Sequence, residues 1–484
     1  MNREVYKLRD SSKAVESKGL RAIARQAPVP SRPMSVTAHI SKPTALQAAD
    51  ILLRWPRAAP LAALVSGGDV RAQNSWSIFA APRESVVIDG TLSAPDAVAA
   101  LEAALARTPR IIGAAAGAAA GAGAKAGADT GDARTPPFDG GWIVALGYGL
   151  GACFEKRVGS RKTPAPHAVL LWCEDAWCFD HSDGSLHAVG TPPALADERV
   201  PSPWRLSSVD PDTSDSHYGA GVARVVEYIR AGDAFQANIS RRFSGEISGD
   251  LRGFAHAAIT ENRAWFGASI DLPNHGGRGG EHLVSMSPEL FLRVRPDGSI
   301  VTRPIKGTRP ASVDARELVE SGKDAAELAM IVDLMRNDLG RVAEIGSIRV
   351  AEARLLETHR TVHHGVAEIS ARLRPDISWT QLLAATFPPG SVTGAPKIRA
   401  MQIIDELEPH TRGFYCGAIG FIARSGHAAL NVAIRTAQIG AASTSGSRPV
   451  CYHAGCGIVA ESEPASEVAE THAKARAIAQ LISA

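Results

Sequence analysis

Lys306 lies in the segment Arg303-Pro304-Ile305-Lys306-Gly307-Thr308-Arg309, locked between a proline-led step and a glycine. Taken alone it reads as a solvated loop cation. Its company further along the chain gives it a second reading, because carboxylate pairs, a Gly-Ser-Val-Thr-Gly loop and an arginine ending an apolar run all follow it. If those groups converge, Lys306 is a candidate covalent nucleophile. Asp324 and Glu327 stand one helical turn apart, and so do Glu467 and Glu470, with Lys474 a further turn along. Each pair reads as a solvated helix face, Glu470 and Lys474 forming an ordinary i,i+4 pair. Together the two pairs have the make-up to hold Mg2+ through one carboxylate each plus water.

Three further segments carry polar chemistry. Pro389-Gly390-Ser391-Val392-Thr393-Gly394-Ala395-Pro396-Lys397 feeds a predicted helix whose first backbone N–H groups would favour an anion. It lacks the Gly-Lys-Ser/Thr ending of a nucleotide-binding loop, so a carboxylate guest suits it better, and a plain capped helix explains it equally. Gly455-Cys456-Gly457 is either a tight turn or a place where a ligand approaches the backbone. Arg435 ends the run Ala428–Ile434 and either snorkels or clamps a carboxylate. The tandem His363-His364 is no metal signature without further ligands.

The elements that must position these groups alternate along the chain. Strands are expected at Trp142–Leu146, Ala168–Cys173, Ala234–Phe243, Leu283–Val294, Ser299–Pro304, Gly417–Ile422, Ala428–Ala437 and Val450–His453. Helices are expected at Tyr218–Ala231, Lys323–Ala343 and Pro464–Leu481. Strands in hairpin-like succession with helices between them predict an α+β fold with large antiparallel sheets. Residues 1–40 read as a disordered leader, and 41–200 as an N-terminal region interrupted at 113–128 by a Gly/Ala insert too poor in bulky apolar groups to order itself. The Pro/Ser/Asp-rich stretch 201–216 marks a boundary, and 215–484 reads as the catalytic part. The Gly-rich run 274–280 reads as a loop or hairpin tip.

At 484 residues the chain is long enough for a large core, and its net charge of +2 points to neither nucleic acid nor an acidic tail. No run of about 18 apolar residues suggests a membrane span. Residues 1–33 are rich in Lys and Arg but lack the apolar core of a signal peptide. Cys153, Cys173, Cys178, Cys416, Cys451 and Cys456 form no CxxC pair, as expected of a reduced, cytoplasmic protein.

Six segments occur in a telling order: Asp233-Ala234-Phe235-Gln236-Ala237-Asn238-Ile239-Ser240; Ser287-Pro288-Glu289; the Lys306 segment; Asp333-Leu334-Met335-Arg336-Asn337-Asp338-Leu339-Gly340-Arg341; Ser391–Lys397; and Gly457-Ile458-Val459-Ala460 with Glu467–Lys474. In this the chain resembles the chorismate-utilising enzymes, densely from about residue 215 onward and more weakly before. The resemblance implies a single body with antiparallel sheets enclosing the site, a sandwich-like core flanked by helices, and Mg2+ bound with chorismate. It implies Glu327 and Glu470 as metal ligands, with Asp324 and Glu467 in support. Arg435, Tyr415 and Lys474 are implied as a clamp for the other substrate carboxylate, aided by backbone near Gly307, Thr308, Thr393, Gly455 and Gly457. Glu289 corresponds to the general acid that helps the 4-hydroxyl leave, and His364 to a histidine implicated in the anthranilate-forming branch.

Two positions separate the branches of the family. The water-adding branch has a lysine base at the position of Gln236, and an amide cannot take a proton from water. Anthranilate synthases typically have alanine at the position of Lys306, whereas aminodeoxychorismate synthases have lysine. The expected activity is therefore amination of chorismate at C4 through a Lys306 adduct, with ammonia from a separate glutamine amidotransferase subunit. The alternatives are the anthranilate-forming branch, a non-catalytic chorismate- or amino-acid-binding regulator, and a pyridoxal phosphate enzyme using Lys306 as Schiff base. Pro389 and Cys456 depart from the family pattern, and Cys456 is expected close to a ligand.

Overall fold

The structure is a computed structural model, describing residues 47–67, 75–108, 135–159, 162–197, 202–275, 279–358 and 362–483. The expected leader and the Gly/Ala insert lie outside the described residues. Every strand pairing among the described residues is antiparallel, and most strands join one long ladder. From Gln236–Gly249 it runs through Arg448–Ile458, Thr436–Ile439, His282–Ser287 and Phe266–Asp271 to Ala62–Val65 and Trp76–Ile88. It continues through Ala168–Asp180, Gly141–Leu146, Ala418–Ala423, Ala428–Val432, Leu290–Val294 and Ser299–Arg303 to Val362–Arg372. Strands from before residue 200 and after 215 are thus hydrogen-bonded neighbours. In the stretch 201–216, Trp204–Leu206 and Asp210–Pro211 pair with Gln236–Gly249.

Folding the ladder over itself buries one apolar layer between its two halves, with Ile78, Ala268, Ile270 and Leu283 from one side and Ile143, Ile419 and Phe421 from the other. The outer faces are covered by helices. Ala94–Leu105, Gly322–Gly340 and Trp379–Thr386 pack on one, and Leu251–Glu261 and Pro464–Ala479 on the other. This is the α+β fold with antiparallel sheets that the alternation of elements predicts, in the sandwich form that the family resemblance implies. The helix Gly322–Gly340 follows from its sequence: Ser321 accepts a hydrogen bond from Asp324 N, satisfying an orphan donor of the first turn. Leu328, Ile331, Val332, Met335 and Leu339 then bury one stripe, which leaves Asp324 and Glu327 on another.

Two expected strands are each two. Leu283–Val294 breaks at Pro288-Glu289, and Ala428–Ala437 breaks before Arg435, whose φ of 49° lies in the left-handed region. Proline cannot donate to a ladder, and apolar alternation alone does not register a change of partner strand. The breaks lie side by side. Val432 N donates to Glu289 O (3.0 Å), Met286 N to Arg435 O (2.9 Å), and Ser287 Oγ to Val432 O (2.6 Å). Gly455-Cys456-Gly457 is no turn but the interior of Arg448–Ile458, paired with Asn238–Ser240. The Cys456 side chain accordingly points to the opposite face from the two glycines, packed with Tyr218 and Val222, with its sulfur beside Glu467 and Glu470 of the last long helix. The flanks of the 274–280 run do form a hairpin, closed by Leu272 N donating to Glu281 O.

Candidate active site

A cavity of about 750 Å³ opens where the two strand breaks, the strand Ile305–Pro310 and the helices Gly322–Gly340 and Pro464–Ala479 meet. Its wall includes Lys306, Glu289, His364, Gly307, Thr308, Tyr415, Arg435, Gly455, Gly457, Lys474, Asp324, Glu327, Glu467 and Glu470. Thus fourteen of the sixteen residues expected from the sequence line one space. Gln236 and Thr393 lie just behind it. Thr393 is fully buried, its hydroxyl donating to the carbonyls of Pro389 and Gly390. The buried Gln236 Nε2 has no hydrogen-bond partner among the described residues. A Cβ on residue 457 would stand 2.3 Å from that nitrogen and 3.1 Å from Lys306 Nζ, so the two side chains meet over Gly457 and a larger residue there would make them shift.

Lys306 projects inward because the ladder slips between Ile305 and Thr308, a slip made possible by Gly307 at φ 77°. A Cβ on Gly307 would also strike Leu318 and Asp324. Among the described residues no hydrogen bond or ion pair holds Lys306 Nζ. Burial depresses its pKa against the pull of Glu327, while Lys474 pushes the same way as burial. The amine is thereby brought toward its neutral, nucleophilic form.

Glu289 is 4% exposed, and burial pushes its carboxyl up to about 7, opposed by a hydrogen bond from Ser391 Oγ (2.6 Å) and by Lys306. A carboxyl with that value can give up a proton near neutrality. Ser391 and Val392 are the contribution of the Gly-Ser-Val-Thr-Gly loop to the cavity; the start of the following helix, Lys397–Leu407, is turned away, with Lys397 Nζ bound to Asp338 Oδ2 (2.6 Å).

The carboxylates differ in their partners. Asp324 accepts from Arg309 (2.8 Å) and Glu467 from Ser462 Oγ (2.7 Å). Burial raises Glu327, as do the charges of Asp324 and Glu467. Burial would raise Glu470 too, but the charge and hydrogen bond of Lys474 (2.7 Å) hold it low. Lys474 Nζ also donates to Gly455 O at 2.7 Å. Glu327, which has no hydrogen bond or ion pair among the described residues and is repelled by Asp324 and Glu467, offers oxygen donors that fit a hard divalent cation. Among the described residues, one group of three possible ligand atoms lies within 4.8 Å of one another, on Cys456, Glu467 and Glu470; Glu327 comes from the other helix. Opposite the carboxylates, the Arg435 guanidinium has no hydrogen bond among the described residues and faces the cavity. Thr308 Oγ1 and His364 Nδ1 are 2.8 Å apart.

Sequence reasoning did not single out Asn238, Arg309 or His453. Asn238 Nδ2 donates to Val392 O at 3.0 Å, tying the loop to the neighbouring strand. His453 lines the cavity with its ring stacked on Tyr415 at 5.2 Å. Asn238 was visible within a motif already quoted, whereas His453 carried no local signal at all.

Comparison with known proteins gives the chain its family. The family model for chorismate binding enzymes matches residues 73–480. Aminodeoxychorismate synthase component 1 of Salmonella typhimurium is 38% identical over 360 residues, covering 71% of this chain and 76% of that protein. Anthranilate synthase component 1 of Pseudomonas aeruginosa is 34% identical over 390 residues, covering 72% and 76%. The crystal structure of anthranilate synthase component I from Streptococcus pneumoniae superposes with a TM-score of 0.66 at 28% identity, over 85% of this chain and 93% of that one.

Proposed function

Because this chain belongs to the chorismate-binding enzyme family, we propose that it aminates chorismate to 4-amino-4-deoxychorismate through a covalent adduct on Lys306. The observation that carries the reading is the pair at the cavity wall: a buried, unpaired Lys306 with depressed pKa, and Glu289 raised to about 7. Such a pair sets an amine shifted toward its neutral, nucleophilic form at one cavity with a carboxyl that is partly protonated near neutral pH. In the first step the Lys306 nitrogen bonds to ring carbon C2 and the double bond shifts. The C4–O bond then breaks, and Glu289 gives its proton to the departing hydroxyl, which leaves as water. In the second step ammonia bonds to C4, the C2–N bond breaks, and Lys306 leaves as an amine. The proton shed by the new amino group restores Glu289. Occupation of C2 by Lys306 is what directs ammonia to C4.

Arg435, unpartnered and facing the cavity, and Tyr415 suit the enolpyruvyl carboxylate, a planar anion that a guanidinium grips bidentately. Glu327 and Glu470 would hold Mg2+, backed by Asp324 and Glu467; when bound, the ion supplies positive charge to the ring carboxylate. Gln236, an amide, cannot activate water in competition with ammonia. His364, fixed by Thr308, completes the wall beside Lys306. Ammonia would come from a glutamine amidotransferase subunit, as the two-component naming of the relatives suggests. The product would suit an enzyme class that eliminates pyruvate to give 4-aminobenzoate.

The 34% identity to the Pseudomonas aeruginosa protein keeps anthranilate formation as the second reading. Purified protein incubated with chorismate, MgCl2 and ammonium chloride decides between them. The expected product is aminodeoxychorismate, which yields 4-aminobenzoate only when a lyase is added. Fluorescent anthranilate without lyase would overturn the proposal.

A further inference from the structure

On the outer side of the catalytic cavity's wall lies a second, much smaller cavity of about 80 Å³, lined among others by Tyr148, His167 and Arg412. It has room for a few molecules the size of water or ammonia. A row of side chains connects the two spaces. The Arg412 guanidinium lies 4.5 Å from the Tyr148 ring centre on one side and 5.7 Å from that of Tyr415 on the other, and Tyr415 stacks on His453. Tyr148 belongs to the small cavity; Tyr415 and His453 belong to the large one.

Polar atoms along this row are left unsatisfied. Tyr148 Oη, both ring nitrogens of His167 and both of His453 are buried without a hydrogen-bond partner among the described residues. Such a group costs about 1–3 kcal/mol if nothing ever pairs with it. Their gathering along one line therefore points to small polar molecules that visit them. We propose that ammonia enters the catalytic cavity along this line, from the small cavity past Tyr148, His167 and Arg412 to Tyr415 and His453. The inference rests on the amination reading.

The chemistry of the row selects the right species. Burial lowers the pKa of His167, and burial with the Arg412 charge holds His453 down to about 3, so both rings are neutral and can accept an N–H. Arg412 carries a permanent charge, held by Glu408 through Nε (2.9 Å) and Nη2 (2.6 Å). Because Glu408 neutralises Arg412 and both histidine rings are uncharged, these side chains do not pair with a buried ammonium, and neutral ammonia is the favoured passenger. The route also answers a geometric need. Once chorismate fills the open side of the large cavity, the second nucleophile requires a separate way in.

The test has a structural and a kinetic arm. A crystal structure of the metal-free protein should show ordered waters bonded to Tyr148 Oη and to the His167 and His453 rings; dry sites would overturn the proposal. In the kinetic arm, Ala152→Phe and His167→Phe narrow the small cavity without touching the catalytic wall. Each should raise the KM for ammonium chloride at least tenfold with chorismate and Mg2+ saturating, leaving the KM for chorismate unchanged. If one variant fails to fold by circular dichroism, the other carries the arm. An unchanged ammonium KM would mean a file of water only and would reject the route. Failure of the wild-type protein to aminate chorismate would instead sink the amination reading, with the crystallographic arm still deciding whether the line is wet.

Discussion

Replacing Lys306 tests the reaction and the electrostatics of the site together. An amine fixed against its target acts at an effective concentration of ~10⁵ M or more, against ammonia offered at ~0.1 M, so the covalent route leads by up to ~10⁶-fold, about 8 kcal/mol of barrier. Some direct attack by ammonia survives, so Lys306→Ala should lower aminodeoxychorismate formation ~10³-fold or more. Chorismate should still bind, since Arg435 and the four carboxylates remain. Intact mass spectrometry during turnover should show a chorismate-derived adduct on the wild-type chain and none on the variant.

Stability should move the other way. The folded-state pKa of Lys306 lies below the ordinary lysine value of 10.5, so the unfolded chain takes up a proton that the folded chain resists. The penalty is complete below the lowered folded value and fades as pH rises toward 10.5. Lys306→Met, which keeps the volume and drops the charge, should therefore melt higher than wild type at neutral pH, the gain shrinking in alkaline buffer. Turnover by Lys306→Ala within about threefold of wild type, or a Lys306→Met protein that melts lower at neutral pH, would refute the reasoning.

Ser391→Ala removes the hydrogen bond that restrains Glu289, so the carboxyl should titrate above its value of about 7 and the alkaline fall in kcat should move to higher pH. The accompanying loss in rate should be about tenfold, the worth of one bond to a charged acceptor, and an unmoved pH profile would count against Glu289 as the acid. Arg435→Met should raise the KM for chorismate ~10–100-fold, with Arg435→Lys restoring little, because a point charge lacks the bidentate fork. Glu327→Gln relieves the repulsion from Asp324 and Glu467, so without metal its melting temperature should rise; the stabilisation of wild type by added MgCl2 should vanish. Gly457→Ala should displace the ends of the Gln236 and Lys306 side chains and lower the rate in a folded protein, which a normal rate would contradict.

Much of the site could be read from residue type and order alone. The helix Gly322–Gly340 is announced by its apolar spacing, and from it the shared direction of Asp324 and Glu327 follows without any tertiary knowledge. Gly307 likewise advertises a backbone that only glycine adopts, its φ being 77°. Less legible was the geometry at Glu289 and Arg435, because apolar runs such as Leu283–Val294 look continuous although the chain changes partner strand within them. Cys456 illustrates the same limit. Its neighbours in sequence face the cavity, but strand alternation turns it to the other side.

By itself the sequence determined the α+β class and the ordered motifs of the family, and it nominated the groups proposed to react, since these depend on local periodicity and on side-chain chemistry. Tertiary structure alone decided which lysine and which glutamate have their pKa values pushed toward neutrality. A pKa moves with desolvation and with neighbours from distant parts of the chain, and the neighbours of Lys306 include Glu289, Glu327, Glu470 and Lys474. It also decided that the Ser391 hydroxyl meets Glu289, and that unsatisfied polar atoms on Tyr148, His167 and His453 fall along one line. Contacts between residues so far apart in the chain leave no periodic trace in it; they exist only once the ladder has folded over on itself.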